Sequence, residues 1–536
     1  MSVTALICPR RSAALRLSVA IVLLVAGLAR PMPVEAGYVP HLIDGPGEVS
    51  EDLPPEDFVS YVVSEDTHRI IYLKVDSDSE TRRTASAIYS VRTDGTQRTR
   101  LADCPADEYL LCFLWYEVSP DGSYVAYRPS VVDQEGQFQS TDLSLVSVSE
   151  GQATTVASGV IGMSFSPDSA KLAYVVPSPN SQPDDLRADL YIVDTLLEEP
   201  APAGPLLLAH DIPPGEIQFS ADSLYAIYYG PGIELDSGAQ FIGLYSVPVT
   251  GGNAVLLRCP DELPEPGQIF LRDGDSAIVV CRWNSFYEIY SFALADGTGN
   301  RLSEQAELTI DGIQGPIVSG DRLNYVRWDD AGKRYQLVSV ALDGGSPVVL
   351  AKSESPLSRL DLKAVSQDGK LALFTRDEAE GRVLYSTSTE KPSLRRLAVL
   401  ASFTDWSITL SPDGTRAAVA RSFAFTPDDP EGTPYLISVP TTGGEPVTLM
   451  DTVYGGDIVG QLLFSADGAW LLFAMGGSLY LADPGGSTVL PIGRNVSEFD
   501  FGGQDDIIVY SDRAGNLYTS APGIDLYLPS LAHVRW

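Results

Sequence analysis

Short apolar runs with a two-residue period follow one another along this chain in pairs. Ile217-Gln218-Phe219 and Ile161-Gly162-Met163-Ser164-Phe165 read as half-buried strands. Each leads into a four-residue polar break and then a second apolar run, as in Leu172-Ala173-Tyr174. A run, a tight break and a run predict an antiparallel hairpin. A second hairpin follows in most units. It shows as Leu244-Tyr245-Ser246-Val247, Thr250-Gly251-Gly252, Ala254-Val255-Leu256-Leu257, and again around Asp343-Gly344-Gly345 and Thr442-Gly443-Gly444. Two hairpins make a four-stranded antiparallel unit, so the fold class predicted is all-β.

The break inside the first hairpin recurs with defined chemistry. It stands as Ser119-Pro120-Asp121-Gly122, Ser166-Pro167-Asp168-Ser169 and Ser411-Pro412-Asp413-Gly414. Looser copies are Ser220-Ala221-Asp222-Ser223, Ser366-Gln367-Asp368-Gly369 and Ser465-Ala466-Asp467-Gly468. Pro presets φ for a type I turn, Ser and Asp offer side-chain oxygens to nearby backbone N–H groups, and Gly takes the left-handed geometry that closes the hairpin. These residues are structural punctuation. With the turn acid or its nearest equivalent as marker, units fall at Asp66, Asp121, Asp168, Asp222, Asp273, Asp321, Asp368, Asp413, Asp467 and Asp505. The first, fifth, sixth and last rest mainly on spacing. The mean interval of about 49 residues is that of one propeller blade. The pattern predicts a β-propeller of eight to ten four-stranded blades. Propellers usually close with about 4–8 blades, so one large ring, two smaller rings or fewer blades stay open. The absence of a Pro/Ser-rich interruption favours one ring.

The Ser-Pro-Asp-Gly-x-x-Leu-Ala-Tyr, Leu-Tyr-x-Val and Gly-Gly-x-x-x-x-Leu pattern resembles the TolB-like, WD-related β-propeller repeat over nearly everything after residue 60. The resemblance implies the fold and leaves the ligand unspecified. TolB carries an α/β domain ahead of its propeller, whereas the expectation here is only about twenty mature residues before the first unit. The prolyl-oligopeptidase and dipeptidyl-peptidase relatives carry a hydrolase domain behind theirs; this chain ends at Trp536.

Arg10, Arg11 and Arg16 precede an apolar run from Leu17 to Leu28, and Val34-Glu35-Ala36 supplies a small-residue cleavage site. This reads as a signal peptide over 1–36, cleaved near Ala36, which makes the mature chain extracytoplasmic, periplasmic or secreted. The run falls short of the ~20 residues of a spanning helix, so no membrane insertion is expected after cleavage. Residues 37–57 are acidic and Pro-rich and read as a solvated lead-in, with the repeat array over 58–536. Cysteine usage fits export. Beyond Cys8 there remain Cys104, Cys112, Cys259 and Cys281, with three possible pairings. Sequence neighbours favour Cys104 with Cys112 and Cys259 with Cys281, each near a blade boundary. No Cys-x-x-Cys or nearby His suggests metal, and Asp76-Ser77-Asp78-Ser79-Glu80 lacks the Gly and distant Glu of a calcium loop.

The formal charge is −35, from 36 Lys and Arg against 71 Asp and Glu. Such a field opposes nucleic acid and anionic membranes and favours solubility. No Gly-x-Ser-x-Gly elbow, His-Glu-x-x-His or phosphate loop is present, the histidines are scattered, and no carboxylate pair stands out. No catalytic residue, metal or cofactor is assigned. One pattern does rise above background. Arg recurs at the end of the second strand of five units, seven or eight residues beyond the turn with a one-residue slip allowed in the degenerate units, at Arg128, Arg282, Arg327, Arg376 and Arg421, and Trp283 and Trp328 follow two of them. If the Ser-Pro-Asp-Gly turns share one face, these groups line the opposite rim, where guanidinium suits a carboxylate or phosphate and indole offers a stacking surface. Nearby Asp133, Asp329, Asp330, Asp377, Asp428 and Asp429 offer the alternative of pairing within each loop. The functional expectation is a non-catalytic binding or scaffold propeller with protein or peptide partners. The alternatives are an enzyme acting on a polyanionic glycan, with an anionic small ligand or glycan held by the Arg rim, and a regulatory propeller beside a separately encoded hydrolase.

Overall fold

In the computed structural model, the described residues are 41–44 and 59–520, apart from 65–67, 79–82, 105–110, 133–137, 140–141, 183–185, 196–203, 235–239, 261–264, 272–273, 284–285, 304–305, 308–315, 330, 357, 401–405, 422–435, 451–458, 503–506 and 514–515. They belong to the unit Pro40–Ser520. The expected leader and its cleavage site lie outside the described residues, as do Asp66, Asp273 and Asp505.

Ten four-stranded antiparallel blades form a β-propeller. Nine are continuous in sequence, over 59–104, 111–157, 162–212, 217–256, 265–301, 317–352, 360–400, 406–450 and 459–494. The tenth takes three strands from 496–520 and its fourth from the other end of the chain. There His41–Asp44 pairs antiparallel with Leu517–Ser520, with His41 opposite Thr519 and Leu42 opposite Tyr518. The segment read as a solvated lead-in therefore contributes the outermost strand of the last blade.

Blade 7 shows how the sequence dictates the unit. Leu360–Val365 is its first strand and Leu371–Glu378 its second. Between them Ser366-Gln367-Asp368-Gly369 closes a turn in which the Gly369 N–H reaches the Ser366 carbonyl at 2.8 Å, with Gly369 at φ +73°. The Ser366 hydroxyl donates to Asp368 Oδ1 at 2.6 Å, the Lys370 N–H donates to the same oxygen at 3.0 Å, and the Leu371 N–H donates to Ser366 Oγ at 2.9 Å. The same set recurs at Ser119/Asp121, Ser166/Asp168, Ser220/Asp222, Ser411/Asp413 and Ser465/Asp467. The aromatics that end each motif then meet across the second and third strands. Phe374 stacks on Tyr385 at 5.4 Å, Tyr174 on Tyr191 at 5.6 Å, Tyr228 on Tyr245 at 5.8 Å and Phe473 on Tyr480 at 5.5 Å. Each such pair contributes about 0.5–1.5 kcal/mol beyond its burial.

Successive strand positions point to opposite neighbours, so each blade shares one core with the blade before it and another with the blade after it. In blade 7, Ala372 and Phe374 pack towards Val326 and Leu337 of blade 6, whereas Leu373 packs towards Ala417 and Val419 of blade 8. The ring closes where Ile70, Tyr72 and Val91 of blade 1 meet Val509 and Leu517 of blade 10. Blades 9 and 10 meet at Gly493, where an added Cβ would lie 2.7 Å from the Tyr510 ring. First strands lie against one another at the seams of blades 2–3, 3–4, 6–7, 7–8 and 8–9, and Tyr116 of blade 2 bonds to Ser60 of blade 1, so these strands are innermost.

The polar turns touch from blade to blade and so share one face. The Asp121 N–H donates to Ser169 Oγ at 3.0 Å, the Asp168 N–H to Ser223 Oγ at 3.0 Å, and the Ser319 hydroxyl to the Ser366 carbonyl at 2.7 Å. Ser169 and Ser223 occupy the position held elsewhere by Gly, at φ +60° and +62°. Two disulfides staple blade boundaries in the pairing favoured from sequence: Cys104–Cys112 between blades 1 and 2, and Cys259–Cys281 between blades 4 and 5.

Candidate functional site

The innermost strand of blade 2, Leu111–Val118, presents Cys112, Leu114 and Tyr116 to the core shared with blade 1. Phe113, Trp115 and Glu117 alternate with them and face the other way. Trp115 is 60 % exposed and Phe113 42 %. Val62 on the innermost strand of blade 1, Val59–Ser64, and Ile161 at the entry to that of blade 3, Gly162–Phe165, are exposed too. Among the described residues, four of the ten exposed large apolar side chains thus lie along the innermost strands of three consecutive blades.

Arg128 lies across the strand pair from Trp115, its guanidinium carbon 5.9 Å from the ring centroid, and Nη2 donates to the Ile161 carbonyl at 3.3 Å. Burial lowers the pKa of Arg128 from its ordinary value. Glu117 also crosses to blade 3: its carboxylate accepts the Phe165 N–H at 3.0 Å and the Ser164 hydroxyl at 3.3 Å. Burial raises the Glu117 pKa against the effect of those bonds. On the innermost strand of blade 10, Val496–Phe501, Glu498 is likewise pushed up by burial. Its charge reaches Tyr61 of blade 1 and Tyr116 of blade 2, whose hydroxyls are pushed up chiefly by burial, with Asp500 adding to the effect on Tyr61. Tyr61 donates to the Val509 carbonyl at 3.2 Å and Tyr116 to the Ser60 carbonyl at 3.2 Å. The inner wall thus passes from an aromatic strip with one guanidinium on blades 1–3 to carboxylates on blade 10.

The five arginines expected along one rim sit on second strands of five blades, and those whose side chains are described do not converge. Arg128 turns towards blade 3. Arg376 turns the other way, towards Glu354 at 3.7 Å in the preceding connection. Arg327 alternates with Val326, which packs into the core shared with blade 7, so it faces blade 5. Arg128 lies seven residues beyond its turn acid and Arg376 eight, and in a strand a slip of one residue reverses the face. Arg128 also lies inside its strand, Tyr124–Val132, rather than at its end. The side chains of Arg282, Trp283 and Arg421 lie outside the described residues.

Arg327 donates through Nε and Nη2 to Gln336 Oε1 at 3.3 and 3.2 Å, and Trp328 packs edge-on to Tyr335 at 4.9 Å. Arg376 donates to Glu378 Oε1 at 3.0 Å from Nε and 2.5 Å from Nη2, and lies 4.8 Å over the Tyr385 ring. The Tyr385 hydroxyl donates to the same carboxylate oxygen at 2.5 Å. Burial of Glu378 is outweighed by Tyr385 and Arg376, which hold its carboxyl below the usual range. Arg376 also borders a cavity of about 460 Å³ between blades 6 and 7, lined by Arg334, Val349, Leu350, Ala351, Lys352, Ser353, Glu354 and Leu394. Among the described residues no group of three or more His, Cys, Asp or Glu side chains is placed to hold a metal ion. No described helix is long and apolar enough to cross a membrane.

The exposed aromatic strip was missed from sequence, although a signal was present: Leu111-Cys112-Phe113-Leu114-Trp115 is apolar over five consecutive positions, where other first strands run at most three. No protein-family model matches this chain, and no curated protein matches it by sequence. Solved structures similar to it include one from a study of two prolyl endopeptidases, at 16 % identity and TM-score 0.38, covering 69 % of this chain and 55 % of that one. Dipeptidyl peptidase 4 of Porphyromonas gingivalis is 14 % identical at TM-score 0.41, covering 78 % and 64 %. The Dos1 propeller is 12 % identical at TM-score 0.37, covering 68 % and 93 %. The chain thus spans between about half and two thirds of the length of the two peptidase structures.

Proposed function

We propose that this chain is an exported, non-catalytic β-propeller of the TolB-like kind that binds a protein or peptide partner at the inner wall of blades 1–3. The observation that carries the reading is the exposure of Val62, Phe113, Trp115 and Ile161 on or at the innermost strands of three consecutive blades, with Arg128 beside Trp115. Exposed apolar side chains gathered on a rigid surface mark interaction sites, and Trp and Arg are the residues in which binding energy concentrates. The strip is held by sheet backbone and by the bonds from Arg128 and Glu117 to blade 3, so a partner meets a pre-ordered surface. Two disulfides and the leader-like N-terminus support an oxidising compartment outside the cytoplasm.

The experiment is capture from the exported fraction with wild-type chain, Trp115→Ala and Arg128→Ala side by side. A partner retained by wild type and reduced about tenfold or more by Trp115→Ala, with an unchanged melting temperature, supports the site. Equal capture by wild type and both variants removes it.

A further inference from the structure

The negative charge of this chain is not spread evenly. Residues 316–400, which contain blades 6 and 7, hold 13 Lys and Arg against 11 Asp and Glu, whereas the remaining 451 residues hold 23 against 60. The cavity between those two blades opens in a sector of slight net positive charge, whereas blade 1, over 59–104, balances seven Lys and Arg against seven Asp and Glu. Its floor is apolar, from Val349 and the 47 % exposed Leu394. Its cations are Arg334, Lys352 and Arg376. Glu378 neutralises Arg376, and Glu354 stands 3.7 Å from it. Arg334 donates from Nε to the Gly332 carbonyl at 3.2 Å and has Asp329 as its cross-strand neighbour. Lys352, at the exposed end of the outer strand Val348–Lys352, has no carboxylate within ion-pair distance among the described residues.

We propose that this groove docks an acidic segment of a partner protein, its carboxylates on Lys352 and Arg334 and an apolar side chain against Val349 and Leu394. Charge complementarity selects the occupant. An acidic peptide is repelled by most of the remaining surface and meets no net attraction at the balanced blade 1, so the field favours blades 6 and 7. A neutral apolar segment gains nothing from that steering, and a basic one is drawn elsewhere. The proposal goes beyond the binding strip of blades 1–3 and shares no residue with it, so either fails without the other.

The test uses the whole chain and a fluorescein-labelled Leu-Glu-Glu-Leu-Glu-Glu peptide followed by anisotropy, with the Gln-for-Glu peptide beside it. Binding is expected to weaken at least about tenfold for the Gln peptide, and likewise between about 50 and about 500 mM NaCl. It is expected to weaken as much in the Lys352→Glu, Arg334→Glu double variant, while Arg513→Glu, a charge reversal at an exposed position of blade 10, stays within about twofold. If the double reversal lowers the melting temperature, Lys352→Gln with Arg334→Gln keeps the aliphatic stems and gives the same reading. The proposal is overturned by absence of binding, by equal binding of the two peptides, or by Arg513→Glu acting as strongly as the double variant. A self-associated chain that dissociates in the double variant without binding peptide overturns it too, since a second copy then fills the groove.

Discussion

Ser169 stands where most copies of the turn have Gly, and replacing it sets two opposed effects against each other. At φ +60° an L-residue sits about 1–2 kcal/mol above its preferred backbone state. Ser169→Gly removes that strain but frees the unfolded chain, which takes back about 0.5–1 kcal/mol. The same change deletes Ser169 Oγ, which accepts the Asp121 N–H of the neighbouring blade at 3.0 Å. Ser169 is buried and the bond from the half-buried Asp121 is part-buried, so that N–H left without a partner costs about 1–3 kcal/mol. The hydrogen bond outweighs the residual strain, and Ser169→Gly is expected to destabilise by roughly 0.5–2 kcal/mol. Ser169→Ala keeps the strain and loses the bond, so the order of stability is Ser, Gly, Ala. Urea unfolding read beside amide exchange at Asp121 measures both the total and its location. A glycine variant more stable than wild type, or an alanine variant equal to it, refutes the claim that the hydroxyl joins blades 2 and 3.

Deleting His41–Asp44 leaves Leu517–Ser520 as an open edge and removes about two to four ladder bonds, a loss of roughly 2–4 kcal/mol; hydrogen exchange should quicken first at 517–520, and protection there equal to wild type would show that the closing strand does not stabilise its blade. Gly230→Ala places a Cβ 2.3 Å from the Tyr245 ring, so overpacking of about 1–3 kcal/mol is expected, visible as a lowered urea midpoint. The Asp368 carboxyl is held below its ordinary pKa by Ser366 and the Lys370 N–H, and that of Asp467 by the Ala469 N–H and Ser465. A depressed carboxylate stabilises above the unfolded pKa and loses that contribution as pH falls through the folded one, so stability should drop below about pH 4. Asp467→Asn should flatten that acid limb while lowering stability at neutral pH, as thermal melts between about pH 2 and 7 will read.

How far the sequence reveals this molecule depends on whether a feature is local. The turn is written in four residues, and every hydrogen bond that builds it lies within five positions, so Ser411, Asp413 and Gly414 are legible on sight. Even the weak markers at 66, 273, 321 and 505 fall between the first and second strands of their blades, because the repeat length carries them. The closing strand is the reverse case. His41–Asp44 is four residues amid acidic and Pro-rich chain, and its partner is more than 470 positions away. Nothing near it announces a strand, and only the need of the last three-strand sheet for a fourth partner implies one. The arginines are a third case. Their distance from the turn gives the height in the ring, but the neighbour they face depends on the parity of that distance, which a loose repeat does not fix. Arg128 and Arg376 differ by one residue, and that residue sends one to the seam with the following blade and the other to the seam with the preceding blade. Repeats therefore specify a scaffold through what recurs. A binding surface on it is specified by what does not, such as Trp115 on an innermost strand or a cationic sector in a chain of charge −35. On a ring of similar blades, the departures from the repeat are where specific recognition has to reside.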